Sequence, residues 1–189
     1  MNPTFDLLKE YPLIAAVRES EELGAAIESK CKIIFLLSAN LNTIEDKVKE
    51  IGSQNKKVFV HLDLMEGLRR DRVALDFLIN KAHVDGIITT HSSIIRAARD
   101  MNVPTIQRLF LLDSVSVDTG IQSVNKVSPD FVELLPGTIP TTIRHFSKEI
   151  KTPIIAGGLI NTSAEVQEAL VAGAVGVSTG NYKLWNMNF

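Results

Sequence analysis

The sequence predicts an α/β protein, a compact (β/α)8 TIM barrel, and three observations carry that prediction. Short apolar runs recur roughly every 20 to 27 residues, the period of a βα unit. The segments between them carry helical spacing, not strand alternation. The last two runs end in glycine-bearing turns, Ala156-Gly157-Gly158 and Ser178-Thr179-Gly180-Asn181. In such barrels the loops after the seventh and eighth strands commonly build a phosphate site.

Taken in order, strands are expected at about 12–17 (PLIAAV), 32–38 (KIIFLLS), 57–64 (KVFVHLDL) and 85–90 (DGIITT). Four more follow at 104–111 (PTIQRLFL), 131–136 (FVELLP), 152–157 (TPIIAG) and 174–178 (AVGVS). Their near-continuous apolar character is that of parallel strands buried on both faces. Between them, Ile44, Val48 and Ile51 line one helical face, as do Ile94, Ala98 and Met101. Val117, Ile121 and Val124 form another, and Ile139, Ile143, Phe146 and Ile150 a fourth. Thr162 with Glu165 fits a capping box opening the next helix, and Gly173 fits its stop. Eight strands with eight helices imply closure. An open doubly wound sheet would carry a glycine-rich turn after its first strand, and Val17-Arg18-Glu19-Ser20 has none. Typical barrels have ~250 residues, so a chain of 189 requires short loops throughout. No linker or low-complexity stretch interrupts it, and residues 1–189 read as one domain.

Composition narrows the setting. With 45% hydrophobic and 22% charged residues the chain has the make-up of an ordinary globular protein. A net charge of −2 does not mark a nucleic-acid binder, though it leaves room for a local basic patch. The single cysteine, Cys31, cannot form an internal disulfide, which suits a reducing cytoplasm. The first residues, MNPTFDLLKEYPLIAAVRE, are acidic where a signal peptide is basic, and their apolar run is too short to span a bilayer. A cytoplasmic location and no membrane partner are expected.

Strand C-termini in a barrel converge on one mouth. They contribute Arg18, Ser38, Asn40, Asp63, Glu66, Thr89, Thr90, His91, Gln107, Arg108, Asp113 and Glu133. Period-two alternation places Arg18 on the face of Ile14 and Ala16, Asp63 on that of Phe59 and His61, and Glu133 on that of Phe131 and Leu135. A carboxylate in an apolar strand is costly to bury alone, so Glu133 requires partners. Two arrangements satisfy it: an Arg18–Glu133 ion pair across the barrel, or Arg18 meeting an anionic ligand while Glu133 accepts bonds from ligand hydroxyls. Glycine at 157, 158 and 180 lets backbone N–H groups approach an anion, which points to a phosphorylated small molecule.

Catalytic groups are sparse. No lysine lies in the interior of a strand to form a Schiff base, and Cys31 precedes its strand at the far end of the barrel. His61 lacks a second histidine at ligand spacing, so a packed or hydrogen-bonded core histidine is expected and no metal site. His83 and His145 fall in predicted helices, facing solvent. Exposed Trp185, Met187 and Phe189 are expected to cover the barrel bottom or join a homodimer. Arg69, Arg70 and Arg72 follow the third strand beside the mouth, where they can supply phosphate contacts to RNA.

The segments FVELLPGTIP (131–140), TPIIAGGLI (152–160) and AGAVGVSTGNYKLW (172–185) resemble the glycerol-3-phosphate-responsive antiterminators, also called glycerol uptake operon antiterminator proteins. PLIAAVRE, VFVHLDLMEGL, VDGIITT and QRLFLLDS support the resemblance in the same order along the chain. It implies a compact (β/α)8 barrel that binds sn-glycerol 3-phosphate, with no cofactor. It also implies a regulator that binds the leader of a nascent mRNA and prevents termination upstream of glycerol-utilisation genes. Phosphate would then fall around Gly157, Gly158, Thr179, Gly180 and Asn181, with Arg18 and Glu133 on the phosphate or the hydroxyls. Two rival readings stand beside it. One is an enzyme on a small phosphate ester (isomerase, lyase or phosphodiesterase) using Asp63, Glu66 and Glu133. The other is a metabolite sensor that signals to a protein.

Overall fold

A computed structural model describes residues 3–189; the first two residues of the segment read above for targeting signals lie outside it. The chain runs α1 (Pro3–Glu10), β1 (Leu13–Val17), α2 (Glu22–Glu28), β2 (Ile33–Leu36), β3 (Ala39–Asn40), α3 (Ile44–Ser53) and β4 (Lys57–His61). A 3-10 turn over Leu62–Leu64 leads to β5 (Met65–Glu66), α4 (Arg72–Asn80), β6 (Gly86–Thr89), α5 (Ser92–Asp100) and β7 (Thr105–Phe110). Then come α6 (Ser114–Val127), β8 (Phe131–Leu135), α7 (Pro140–Glu149), β9 (Ile154–Gly157), α8 (Ser163–Val171) and β10 (Gly176–Thr179).

Eight parallel strands close in the order β1-β10-β9-β8-β7-β6-β4-β2, a (β/α)8 barrel. The remaining two, β3 and β5, form a short parallel pair on the loops above β2 and β4, with Ala39 opposite Met65. Each barrel strand sends alternate side chains inward, where Ile14, Ile33, Phe35, Phe59, Ile88, Ile106, Phe131 and Ile155 fill the cylinder. The other set packs outward against the helices in one larger cluster. Glycine is required where that filling is tightest: a Cβ on Gly86 would collide with the Phe59 ring.

The ends of the barrel differ from the sequence expectation. Helix α1 precedes the first strand, and its Leu8 enters the interior cluster with Phe5 and Leu7 packed behind it. Leu8 therefore closes the N-terminal end, against Gly176. No α-helix follows β10 among the described residues; turns over Tyr182–Asn186 take its place. Trp185 is wholly buried in the outer cluster, so it neither covers the bottom nor offers itself to a partner. Its indole N–H donates to the Thr179 carbonyl at 2.8 Å, while its own carbonyl lies 2.8 Å from the Tyr11 hydroxyl. The segment thus runs back along the outside of the barrel from the mouth to the opposite end. His145 lies exposed on α7 as expected, whereas His83 sits in the turn after α4, with φ +57°. The Thr162–Glu165 capping box is present at the start of α8, and Gly173 follows the C-cap at φ +113°.

Candidate functional site: the mouth of the barrel

The floor of the mouth is polar and almost dry. The register of β7 on β8 sets Arg108 beside Glu133, and that of β9 on β10 sets Gly157 beside Ser178. Arg108 Nε donates to Glu133 Oε2 at 2.6 Å, and Ser178 Oγ donates to Oε1 at 2.5 Å. The side chains of Arg108 and Glu133 are only 5% and 1% exposed. A Cβ at Gly157 would sit 2.5 Å from both Glu133 Oε1 and Ser178 Oγ, so glycine there makes room for the carboxylate. Of the two arrangements open to Glu133, the ion pair with Arg18 does not form. Arg18 stands exposed just beyond β1, and the strand register gives Glu133 to Arg108 instead.

Two loops wall one side of this floor. Gly158 turns the chain at φ +74°, followed by Leu159 at +62°, and Gly137 N donates to the Gly157 carbonyl at 2.6 Å. Thr179 Oγ1 donates to the Ile160 carbonyl at 2.8 Å and accepts from Asn181 N at 3.0 Å. Asn181 Nδ2 donates to the Asn161 carbonyl at 2.8 Å. Thr179 and Asn181 thus brace the two turns against each other. Among the described residues, the backbone N–H groups of Gly158 and Gly180 have no hydrogen-bond partner. Both glycines line one cavity of about 390 Å³, together with Arg18, Arg108, Glu133 and Ser178.

A second lobe, of about 570 Å³, shares Arg18, Leu37, Arg108 and Leu135 with the first and adds His61, Asp63, Arg70, Thr90 and His91. Strand β4 stops at His61, so Asp63 sits in the 3-10 turn and strand alternation does not orient it. Its carboxylate accepts from Thr89 Oγ1 at 2.6 Å and from Thr90 N and Oγ1 at 2.8 Å. Burial works to raise the Asp63 pKa, but those hydrogen bonds, with nearby His61, hold it below the ordinary carboxylate value. His61 is 4% exposed, and burial first, then the Arg108 guanidinium, pushes its pKa down to about 4. Neither of its ring nitrogens is hydrogen-bonded among the described residues, and Nδ1 is fully buried.

Other sequence candidates are placed elsewhere or are committed. Arg70 Nη2 donates to the Asp63 carbonyl at 3.0 Å, while Arg69 and Arg72 are exposed and line neither lobe. Glu66 is exposed in β5, outside both lobes. Gln107 faces the helices, where its Nε2 donates to Ser123 Oγ at 2.8 Å. Asp113 caps α6 and Asn40 Oδ1 caps its own turn. The alternation that singled out Glu133 applies equally to Arg108 two residues after Ile106, and this was the available signal for the pair.

Around the lobes the rim carries exposed apolar side chains: Leu64, Phe110, Leu112, Ile139, Leu159 and Tyr182. A separate cleft of about 740 Å³ lies at the other end of the barrel, between α3 and the turn before β6. Its walls are surface lysines and carboxylates, of which Lys57 and Asp85 pair at 2.7 Å. It lacks the convergent glycine turns. No helix in the described residues is long and apolar enough to cross a membrane.

Fold and site together define a small β/α barrel whose mouth joins paired glycine turns to a buried arginine–glutamate floor. Residues 13–185 match the family model of the glycerol-3-phosphate responsive antiterminators, and the chain belongs to that family. It is 38% identical over 185 residues to the uncharacterized protein YgcP of Escherichia coli, covering 98% of this chain and 97% of that one. It is similar to the crystal structure of the glycerol uptake operon antiterminator regulatory protein from Listeria monocytogenes, with a TM-score of 0.89 and 35% identity, covering 93% and 95%. The glycerol uptake operon antiterminator-related protein from Thermotoga maritima superposes with a TM-score of 0.83 at 32% identity, covering 93% and 98%. The family is a regulatory one by description.

Proposed function

We propose that the chain binds sn-glycerol 3-phosphate in the glycine lobe and, so loaded, binds an mRNA leader to prevent transcription termination. One observation carries the ligand reading. Two glycine turns on adjacent strands present backbone N–H groups without protein partners to one cavity, and Arg18 stands at its edge. Gly158 is half-buried and Gly180 exposed, so their N–H groups are accessible donors for an anion to which no Cβ blocks the approach. The buried Arg108–Glu133 pair is neutral as a unit, which leaves Arg18 as the cation for the head group, beside Glu22, whose Oε2 accepts from the Arg18 backbone N–H at 3.0 Å.

The carboxylates supply little for catalysis. Both Glu133 oxygens accept hydrogen bonds, and both Asp63 oxygens do as well. The Cys31 thiol is buried before β2, and burial pushes its pKa up to about 11, far from a reactive thiolate. For the RNA, support comes from the rim. Arg70 can neutralise a phosphate while Phe110 and Tyr182 offer exposed rings for stacking. Leu159 and Tyr182 sit next to Gly158 and Gly180, so a ligand that orders those turns also orders part of the rim and shifts the population toward an RNA-competent mouth.

The test is fluorescence anisotropy of a labelled leader RNA from a glycerol-utilisation operon, with and without saturating glycerol 3-phosphate. About tenfold tighter binding with the ligand is expected, within the usual range of coupling energies. Equal affinity in both conditions excludes ligand gating. Turnover of a phosphate ester across a panel of small metabolites would favour the enzyme instead.

A further inference from the structure

We infer that the second lobe is the hydroxyl subsite of this ligand and that His61 is the residue that reads it; the inference rests on the phosphate reading above. The two lobes share Arg18, Leu37, Arg108 and Leu135, so a molecule anchored at Gly158 and Gly180 extends its uncharged end over that common wall toward His61. The buried carboxylates there are already satisfied, and of the Arg108 guanidinium only Nε is engaged, which leaves its terminal nitrogens as further donors along the common wall. Glu133 is held by Arg108 and Ser178, and Asp63 by Thr89 and Thr90. His61 differs. It is 96% buried by its 4% exposure, lines the second lobe and makes no hydrogen bond through either ring nitrogen among the described residues.

Neighbouring charge selects the kind of group it reads. Arg108 and Arg70 on one side and Asp63 on the other act on the ring, and burial keeps it neutral at physiological pH. A neutral imidazole has one donor and one acceptor, the same complement as a hydroxyl. It does not match a second anion. The ligand class is therefore a short phosphate monoester whose tail carries free hydroxyls, and the lobe discriminates against tails that lack them. A site built to bond a hydroxyl rejects the analogue without one more strongly than an apolar pocket rejects a change in size.

The experiment is calorimetric titration of wild type, His61→Phe and His61→Gln with sn-glycerol 3-phosphate and with n-propyl phosphate, which has no hydroxyl. Wild type is expected to prefer glycerol 3-phosphate by about tenfold or more. In His61→Phe that preference falls to within about threefold while n-propyl phosphate binds as in wild type, and His61→Gln keeps part of it. As a readout independent of the variants, the His61 imidazole nitrogen resonances of wild type shift with glycerol 3-phosphate and stay put with n-propyl phosphate. An unchanged preference in His61→Phe, or imidazole signals indifferent to both compounds, overturns the assignment while leaving the phosphate site intact. Failure of wild type to bind either phosphate ester overturns the underlying reading, and this inference with it.

Discussion

Glu133 is tolerable at 1% exposure because both its oxygens are hydrogen-bonded, one to a guanidinium and one to a hydroxyl. Removing the guanidinium leaves a buried carboxylate half-satisfied, which costs far more than the pair contributes. Arg108→Ala is therefore expected to lower stability by about 3–5 kcal/mol in urea denaturation. A loss under about 1 kcal/mol would mean the pair is well hydrated. His61 adds a pH dependence of definite sign. Its pKa is about 4 folded and 6.5 when exposed, so the unfolded chain binds more protons between those values. Stability should fall by up to about 3 kcal/mol as pH drops from 6.5 to 4, then flatten for this group. Asp63, with its pKa held below the ordinary value, adds a loss of the same sign at more acid pH. Thermal melts of His61→Gln should lack the upper part of this decline; an identical profile would place the titration elsewhere. The identity of Glu133 as a group needing partners was legible from the strand it interrupts. Its true partner was not, because choosing Arg108 over Arg18 requires the register between β7 and β8, and register is long-range information.

The barrel strands were legible because parallel strands covered on both faces read as unbroken apolar runs. Their ends were less so. The run at 57–64 continues its alternation past His61, but Leu62–Leu64 winds into a 3-10 turn, so Asp63 reaches the second lobe beside His61 from a turn and not from a strand. The short β3–β5 pair escaped notice since two residues carry no period. At the C-terminus, the repeat pattern suggested exposed apolar residues, whereas Trp185 fills the place on the outer wall that a last helix would otherwise cover. Trp185→Ala should cost about 3–5 kcal/mol, and should also disturb Thr179, whose carbonyl loses the indole donor. Calorimetric melting checks the first effect. Weakened glycerol 3-phosphate binding checks the second, and unchanged binding would uncouple the outer segment from the glycine turns.

At the scale of the whole molecule, closure of eight strands turns scattered residues into one mouth, and α1 seals the other end with Leu8. That asymmetry leaves one end of the barrel open, the end that ligand and RNA share under the proposed function. Arg70 lies at its edge with its side chain 55% exposed, held by the Asp63 carbonyl at 3.0 Å and by an ion pair to Asp63 Oδ1 at 3.9 Å, and under the proposed function it is the cation that meets an RNA phosphate. Arg70→Ala should weaken leader-RNA binding and reduce the slope of log affinity against log salt by about 0.7 for a single-stranded contact. Anisotropy titrations across a salt series measure it. A slope equal to that of wild type would move the RNA interface off this side of the mouth.

The two glycine turns can be watched directly. Titrating sn-glycerol 3-phosphate into the 15N-labelled protein should shift the Gly158 and Gly180 amide resonances together, along one binding curve, in the direction of stronger hydrogen bonding. Resonances that stay fixed at both glycines while the ligand binds, or that move only around the lysine-lined cleft at the opposite end, would contradict the assignment of the anion to the mouth.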